Sequence, residues 1–141
     1  MTASEYLRQY EYAYYAAERA RQTYELEMER IDAIGSTLGE NAGMPRGSGV
    51  SRSTEARAIR LAEKAGAWLD AEEKAQVVLE EVVNFINLIP GIEGVALYQR
   101  YVMMLGWKEI ADNLLYTESG IFKVRERAMA IAERMLNGDC K

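Results

Sequence analysis

Between Leu7 and Ile31 the chain repeats one spacing. Leu7, Tyr10, Tyr14, Ala17, Arg21, Tyr24, Met28 and Ile31 follow one another three and four residues apart in alternation. On a helix this places them on a single stripe, the a/d seam of a coiled coil, with Arg21 as its one charged member. Neither proline nor glycine interrupts residues 3–34, so the pattern predicts a helix about 45 Å long. A second stripe runs through Ala58, Leu61, Ala65, Trp68, Glu72, Ala75, Leu79, Val82, Ile86 and Ile89, broken only by Glu72. It predicts a helix over 54–89, capped at Ser53 or Thr54 and stopped by Pro90-Gly91. Val77, Val78 and Val83 widen its apolar face toward the C-terminal end. Residues 35–53, rich in glycine and serine and containing Pro45, read as a flexible connector. Two complementary stripes joined in this way predict a long antiparallel helical hairpin over residues 1–91, since neither helix is stable alone.

The periodicity changes over residues 92–141. A short helix over 95–104 ends before Gly106, a shorter one follows at Trp107–Leu114, and a longer one runs from Glu118 to Leu136. The last two are joined by a polar turn at Tyr116-Thr117, the layout of a helix-turn-helix, in which two helices cross steeply. Ile110 and Ala111 pack the first helix down, Leu115 sits in the turn, and Ile121 and Val124 face inward from the second. Ala111 is small where the helices cross, and the Thr117 hydroxyl is suited to capping the second helix. The fold class is therefore all-α: a coiled-coil-like hairpin for oligomerisation, then a helix-turn-helix domain.

Composition narrows the class. At 141 residues, with 49% hydrophobic and 28% charged positions, this is a folded, soluble chain of one or two small domains. No apolar run approaches the roughly 20 residues needed to span a bilayer, and the N-terminus lacks the pattern of a signal peptide. The single cysteine, Cys140, has no internal partner, which fits a reducing cytoplasm. Without histidine and with one cysteine, zinc is excluded as an expectation. The net charge of −5 is uneven: residues 95–141 carry seven Lys/Arg against six acids, residues 1–94 ten against sixteen. Only the C-terminal part is not repelled by a polyanion.

Candidate chemistry points away from catalysis. Glu25, Glu27, Glu29, Asp32, Glu72, Glu73, Glu80 and Glu81 mostly lie off the seams and read as solvated faces. A carboxylate-bridged metal pair needs a Glu-x-x-His pattern that this chain lacks. No nucleophile elbow or phosphate-cradling glycine loop is present, so no enzyme, metal or cofactor is expected. Arg46 and Arg52 read as linker charges. Tyr10, Tyr14 and Tyr24 belong to the seam, whereas Tyr6, Tyr12 and Tyr15 fall off it and suggest a partner helix or a self-association face. If the second helix of the helix-turn-helix enters a major groove, Thr117, Glu118, Ser119, Phe122, Lys123, Glu126 and Arg127 point away from Ile121 and Val124, toward DNA. Lys123 and Arg127 are the phosphate or guanine contacts, Thr117 and Ser119 can bond phosphate, and Phe122 can meet a thymine methyl. Gly120 costs about 1 kcal/mol of helix propensity; it either permits close approach to DNA or is a weak spot.

Several residues carry a family resemblance: Arg100-Tyr101, Gly106-Trp107, Glu109-Ile110-Ala111, Leu115-Tyr116-Thr117, Val124, Ala128 and Ile131. In them the last third of the chain resembles sigma factor region 4. The whole layout is similar to phage proteins of the ArpU/RinA-like late-transcription-regulator group. The resemblance implies a phage or prophage regulator of transcription in the host cytoplasm. It implies binding to double-stranded DNA as a homo-oligomer or alongside RNA polymerase. The alternatives are a small terminase-like DNA-packaging subunit and a protein-interaction module docking on RNA polymerase.

Overall fold

The structure is a computed structural model that describes the backbone of residues 1–40 and 48–138 and the side chains of 1–31 and 54–138. All its regular elements are helices: α1 (Ala3–Leu7), α2 (Gln9–Glu40), α3 (Ser48–Asn87), α4 (Gly91–Tyr101), α5 (Trp107–Leu114) and α6 (Glu118–Leu136). The chain is all-α, as the periodicities predict, with no strand among the described residues.

The boundaries differ where glycine was read as punctuation. Helix α2 continues through Gly35 and Gly39 to Glu40, and α3 begins at Ser48 rather than Thr54. A glycine costs a helix about 1 kcal/mol, too little to end one that is already propagating. The expected connector over 35–53 therefore loses residues 35–40 to α2 and 48–53 to α3. Pro45 and Arg46 lie outside the described residues, as do Cys140 and Lys141, and the side chains of Asp32 and Arg52 are likewise outside them. At the N-terminus the expected single helix is broken at Arg8, which caps α1. At the other end α3 stops at Asn87; Leu88 and Ile89 tighten into i→i+3 bonds on Phe85 and Ile86. Pro90 then caps α4 instead of merely ending the preceding helix. Gly94 is buried at this corner, where a Cβ would collide with the Ile89 carbonyl.

The chain divides into two compact units, residues 15–73 and the remainder, 1–14 with 74–141. In the second of these, α6 crosses two adjoining cores. Its Ala128 and Ala132 meet Ala3 and Leu7 of α1, Val82 and Ile86 of α3, and Leu97 and Tyr101 of α4. Its Ile121 and Val124 meet Ala96 of α4 and Ile110 and Ala111 of α5, with Trp107 partly covering them. Alanines one turn apart leave room for α1 to lie close. Tyr6, off the expected seam, is half-buried and sets its ring at a tilt 4.8 Å from that of Phe85. Tyr12 is exposed, Tyr14 is 38% exposed at the seam's edge, and Val77 faces solvent. Between α4 and α5, Arg100 donates to the Leu105 carbonyl at 3.2 Å and braces the link.

In the unit of residues 15–73 the rings of Tyr24 and Trp68 lie 5.3 Å apart, and the Trp68 indole donates to Glu72, the charged break in its stripe. Arg21 is held at 2.7 Å by both Glu18 and Glu25. That pairing, led by the Glu18 hydrogen bond, pushes its guanidinium further above its ordinary value. Ala17 is buried, whereas Ala58, Tyr15, Leu26, Ile59 and Leu69 are exposed. Among the described residues no helix is long and apolar enough to cross a membrane.

Candidate nucleic-acid interface

The pair α5–α6 is shaped by its turn. Helix α5 starts after its N-cap Gly106, which offers its first N–H groups no side-chain cap. It ends where Leu115 turns left-handed (φ 61) and Tyr116 N–H reaches back to the Ala111 carbonyl at 2.8 Å. That bond closes a Schellman-type end, usually made with glycine. Leu115 is 92% exposed there. Thr117 then caps α6, its Oγ1 accepting the Gly120 N–H at 3.0 Å. Gly120 has a local explanation: a Cβ would lie 3.1 Å from that Oγ1 and 3.2 Å from Tyr116 Cδ1.

With Ile110, Ala111, Ile121 and Val124 buried together, all seven expected contact residues are exposed. They do not form one surface. Ser119, Phe122, Lys123 and Glu126 lie farthest from the buried stripe by helical spacing, with the Ser119 and Thr117 hydroxyls 3.3 Å apart. Glu118 turns to one flank and lines a cavity of about 200 Å³ with Trp107, Lys108, Ile121, Phe122 and Arg125. There the Arg125 guanidinium rests 5.4 Å above the Trp107 ring, a cation–π contact that holds a positive charge beside the start of α5. Arg127 turns to the opposite flank, where its Nε donates to Glu93 Oε1 of α4 at 3.1 Å. Lys123 has no ion pair among the described residues.

Sequence spacing therefore identifies the exposed face but misses four of its participants: Trp107, Lys108, Arg125 and Glu93. Arg125 stands on the flank, and its ring partner Trp107 lies 18 residues back. Glu93 and Arg127 are 34 residues apart. Neither pairing has a helical spacing that would announce it.

A second hollow, a groove of about 400 Å³, runs beside α3 and α4 and is lined by Ile89, Val95, Tyr98 and Met103, among others. Among the described residues no group of three His, Cys, Asp or Glu is arranged to hold a metal ion. No family model, curated protein or solved structure matches this chain, so the reading of the α5–α6 surface rests on its own residues.

Proposed function

We propose that α5 and α6 are a helix-turn-helix that binds double-stranded DNA, and that the chain is a transcriptional regulator of phage or prophage type. One observation carries the reading. The Leu115 turn and the Thr117 cap set two helices on a shared apolar centre, while Ser119, Phe122 and Lys123 stand clear of it near the N-terminus of the second helix. That end of a recognition helix is the one that meets base edges. Lys108, Lys123, Arg125 and Arg127 stand on this surface beside Glu118 and Glu126, with Arg127 paired to Glu93, so attraction for phosphate is modest and weakens as salt rises.

The long helices would then form an antiparallel hairpin that assembles a homo-oligomer. Ring contacts inside each compact unit, Tyr6 on Phe85 in one and Tyr24 on Trp68 in the other, bring residues of the first stripe onto residues of the second and support the hairpin part of this reading. A two-fold pair of such chains presents two reading helices to a pseudo-palindrome. The resemblance to sigma region 4 makes RNA polymerase a candidate companion. A second reading, a module that docks on another protein, draws on the apolar groove beside α3 and α4.

The test is an electrophoretic shift on duplexes from the protein's own genomic neighbourhood, at two salt concentrations, with Lys123→Ala/Arg127→Ala as the comparison. Regulation predicts a salt-sensitive complex that the double variant loses. Equal binding by both proteins rejects this face. Light scattering separates a dimeric regulator from a terminase-like ring of eight or more copies.

A further inference from the structure

We infer that Glu93 is a positioning residue that presents Arg127 for reading a base, and that Lys123 serves the phosphate backbone instead. The inference rests on the DNA reading above and assigns different roles to two cations that helical spacing alone treats alike. Glu93 stands in the first turn of α4, and its side chain is only 18% exposed, whereas that of Arg127 is 56% exposed. Both of its carboxylate oxygens are located. Oε1 accepts the Arg127 Nε–H at 3.1 Å, and Oε2 lies over Gly91, where an added Cβ would come within 3.3 Å of it. The N-terminal end of a helix favours a carboxylate in that place.

Helix α4 is itself fixed against α6, with Ala96 buried alongside Val124 and Leu97 alongside Ala128. The helix that carries the carboxylate is therefore a fixed post for its bond to Arg127. A guanidinium bonded through Nε keeps both Nη groups free, and these can donate together to the O6 and N7 of a guanine. An arginine held in this way loses less side-chain freedom when it binds. Lys123 has no such post among the described residues, and an ammonium is a compact charge suited to a phosphate.

A simple mask would have a different signature. If Glu93 only neutralised Arg127, its removal would strengthen binding to every duplex equally. If it only braced α4 against α6, its removal would weaken every duplex together with the fold. A positioning role predicts loss of discrimination with non-specific binding retained.

The experiment uses the full chain and two duplexes: one recovered from a random-sequence library by the wild-type protein, and a scrambled duplex of equal composition. Glu93→Gln should lower the ratio of specific to non-specific affinity about tenfold, with binding to the scrambled duplex unchanged or tighter and circular dichroism unchanged. Arg127→Lys keeps the charge but not the planar fork, and should lower the ratio similarly. Combining the two should add little, because they remove one contact. Lys123→Ala should weaken both duplexes alike and flatten the salt dependence. An unchanged ratio in Glu93→Gln or Arg127→Lys overturns the inference while leaving the DNA reading in place. Equal gain or equal loss on both duplexes in Glu93→Gln does the same. A wild-type protein that retains no duplex overturns both.

Discussion

Both carboxylate oxygens of Glu133, in the last turns of α6, accept the backbone N–H of Ala3, at 2.9 and 3.1 Å. Thr2 and Glu5 complete a capping box on the same short helix. A five-residue helix has no stability of its own, so α1 exists because its N-terminus is held and its Ala3 and Leu7 are buried. Glu133→Ala removes a charged acceptor from a part-buried donor and should cost about 1–2 kcal/mol. Denaturant unfolding measures this, and amide exchange should quicken first at residues 3–7. Unchanged protection there would mean that Leu7 burial alone holds the helix.

The α5–α6 pair depends on a small centre. Ile110 is fully buried among Ala96, Ala111, Ile121 and Val124. Ile110→Asp places an unpaired carboxylate there and should unfold this part of the chain. Ile110→Val removes one methylene and should cost about 0.5–1.5 kcal/mol. Thermal melts of both distinguish an apolar centre from a tolerant surface. An unchanged melt for the aspartate variant would contradict the packing.

Leu115 makes the turn at a conformational cost. A left-handed backbone is unfavourable for a branched side chain by about 1–2 kcal/mol, and at 92% exposure the leucine recovers almost nothing by burial. Leu115→Gly should therefore stabilise the fold by about 1 kcal/mol, since the strain relieved exceeds the extra chain entropy that glycine brings. A rise in the urea midpoint with unchanged slope is the expected readout. If the same variant also weakens the binding of a partner, the exposed leucine is the reason that the strain is kept.

These cases show what periodicity reads well. The bounds of α5 and α6 were legible because they are set by local chemistry, Thr117 at one start and a polar turn between two apolar pairs. The inward members of the seams, Leu7, Ala17, Val82, Ile86 and Ile89, were legible for the same reason. The docking of α1 on α6 was not, because Ala128 and Ala132 look like ordinary helix formers and Glu133 like a surface acid. The flank contacts of Arg125 and Arg127 were equally hidden, because each depends on how separate helices cross. Glycines misled in the opposite direction, at Gly35 and Gly39, where a modest propensity cost was read as a helix end.

Tyr6 and Tyr10 give the fold a response to alkali. Burial pushes both phenols above the ordinary 10.0, Tyr6 with help from the Glu81 charge, Tyr10 with help from Tyr14 and Tyr98. A folded value above the unfolded one means that the native state holds these protons more tightly. Their contribution is complete below pH 10 and is lost as pH rises through the raised values. Stability should fall with pH above about 10, and Tyr6→Phe with Tyr10→Phe should flatten that fall. Urea midpoints between pH 8 and 11 test it; an equal slope in the double variant would assign the alkaline loss to other groups.

Gly120 sets two comparable terms against each other. Alanine would improve helix propensity by about 1 kcal/mol. Its Cβ, however, would stand 3.1 Å from Thr117 Oγ1 and 3.2 Å from Tyr116 Cδ1. Tyr116 is partly exposed and can swing aside, but the Oγ1 is fixed by the bond it accepts from Gly120 N–H itself. Losing that cap costs about 1 kcal/mol, so the two effects nearly cancel and Gly120→Ala should change stability by less than about 0.5 kcal/mol. The cancellation has a separate signature in a double-mutant cycle. Thr117→Ala should cost about 1 kcal/mol in the wild-type chain and distinctly less beside Ala at position 120, where the cap is already loosened. Equal costs in the two backgrounds would show that the methyl group fits without disturbing the cap, and the glycine would then have no packing role at this turn.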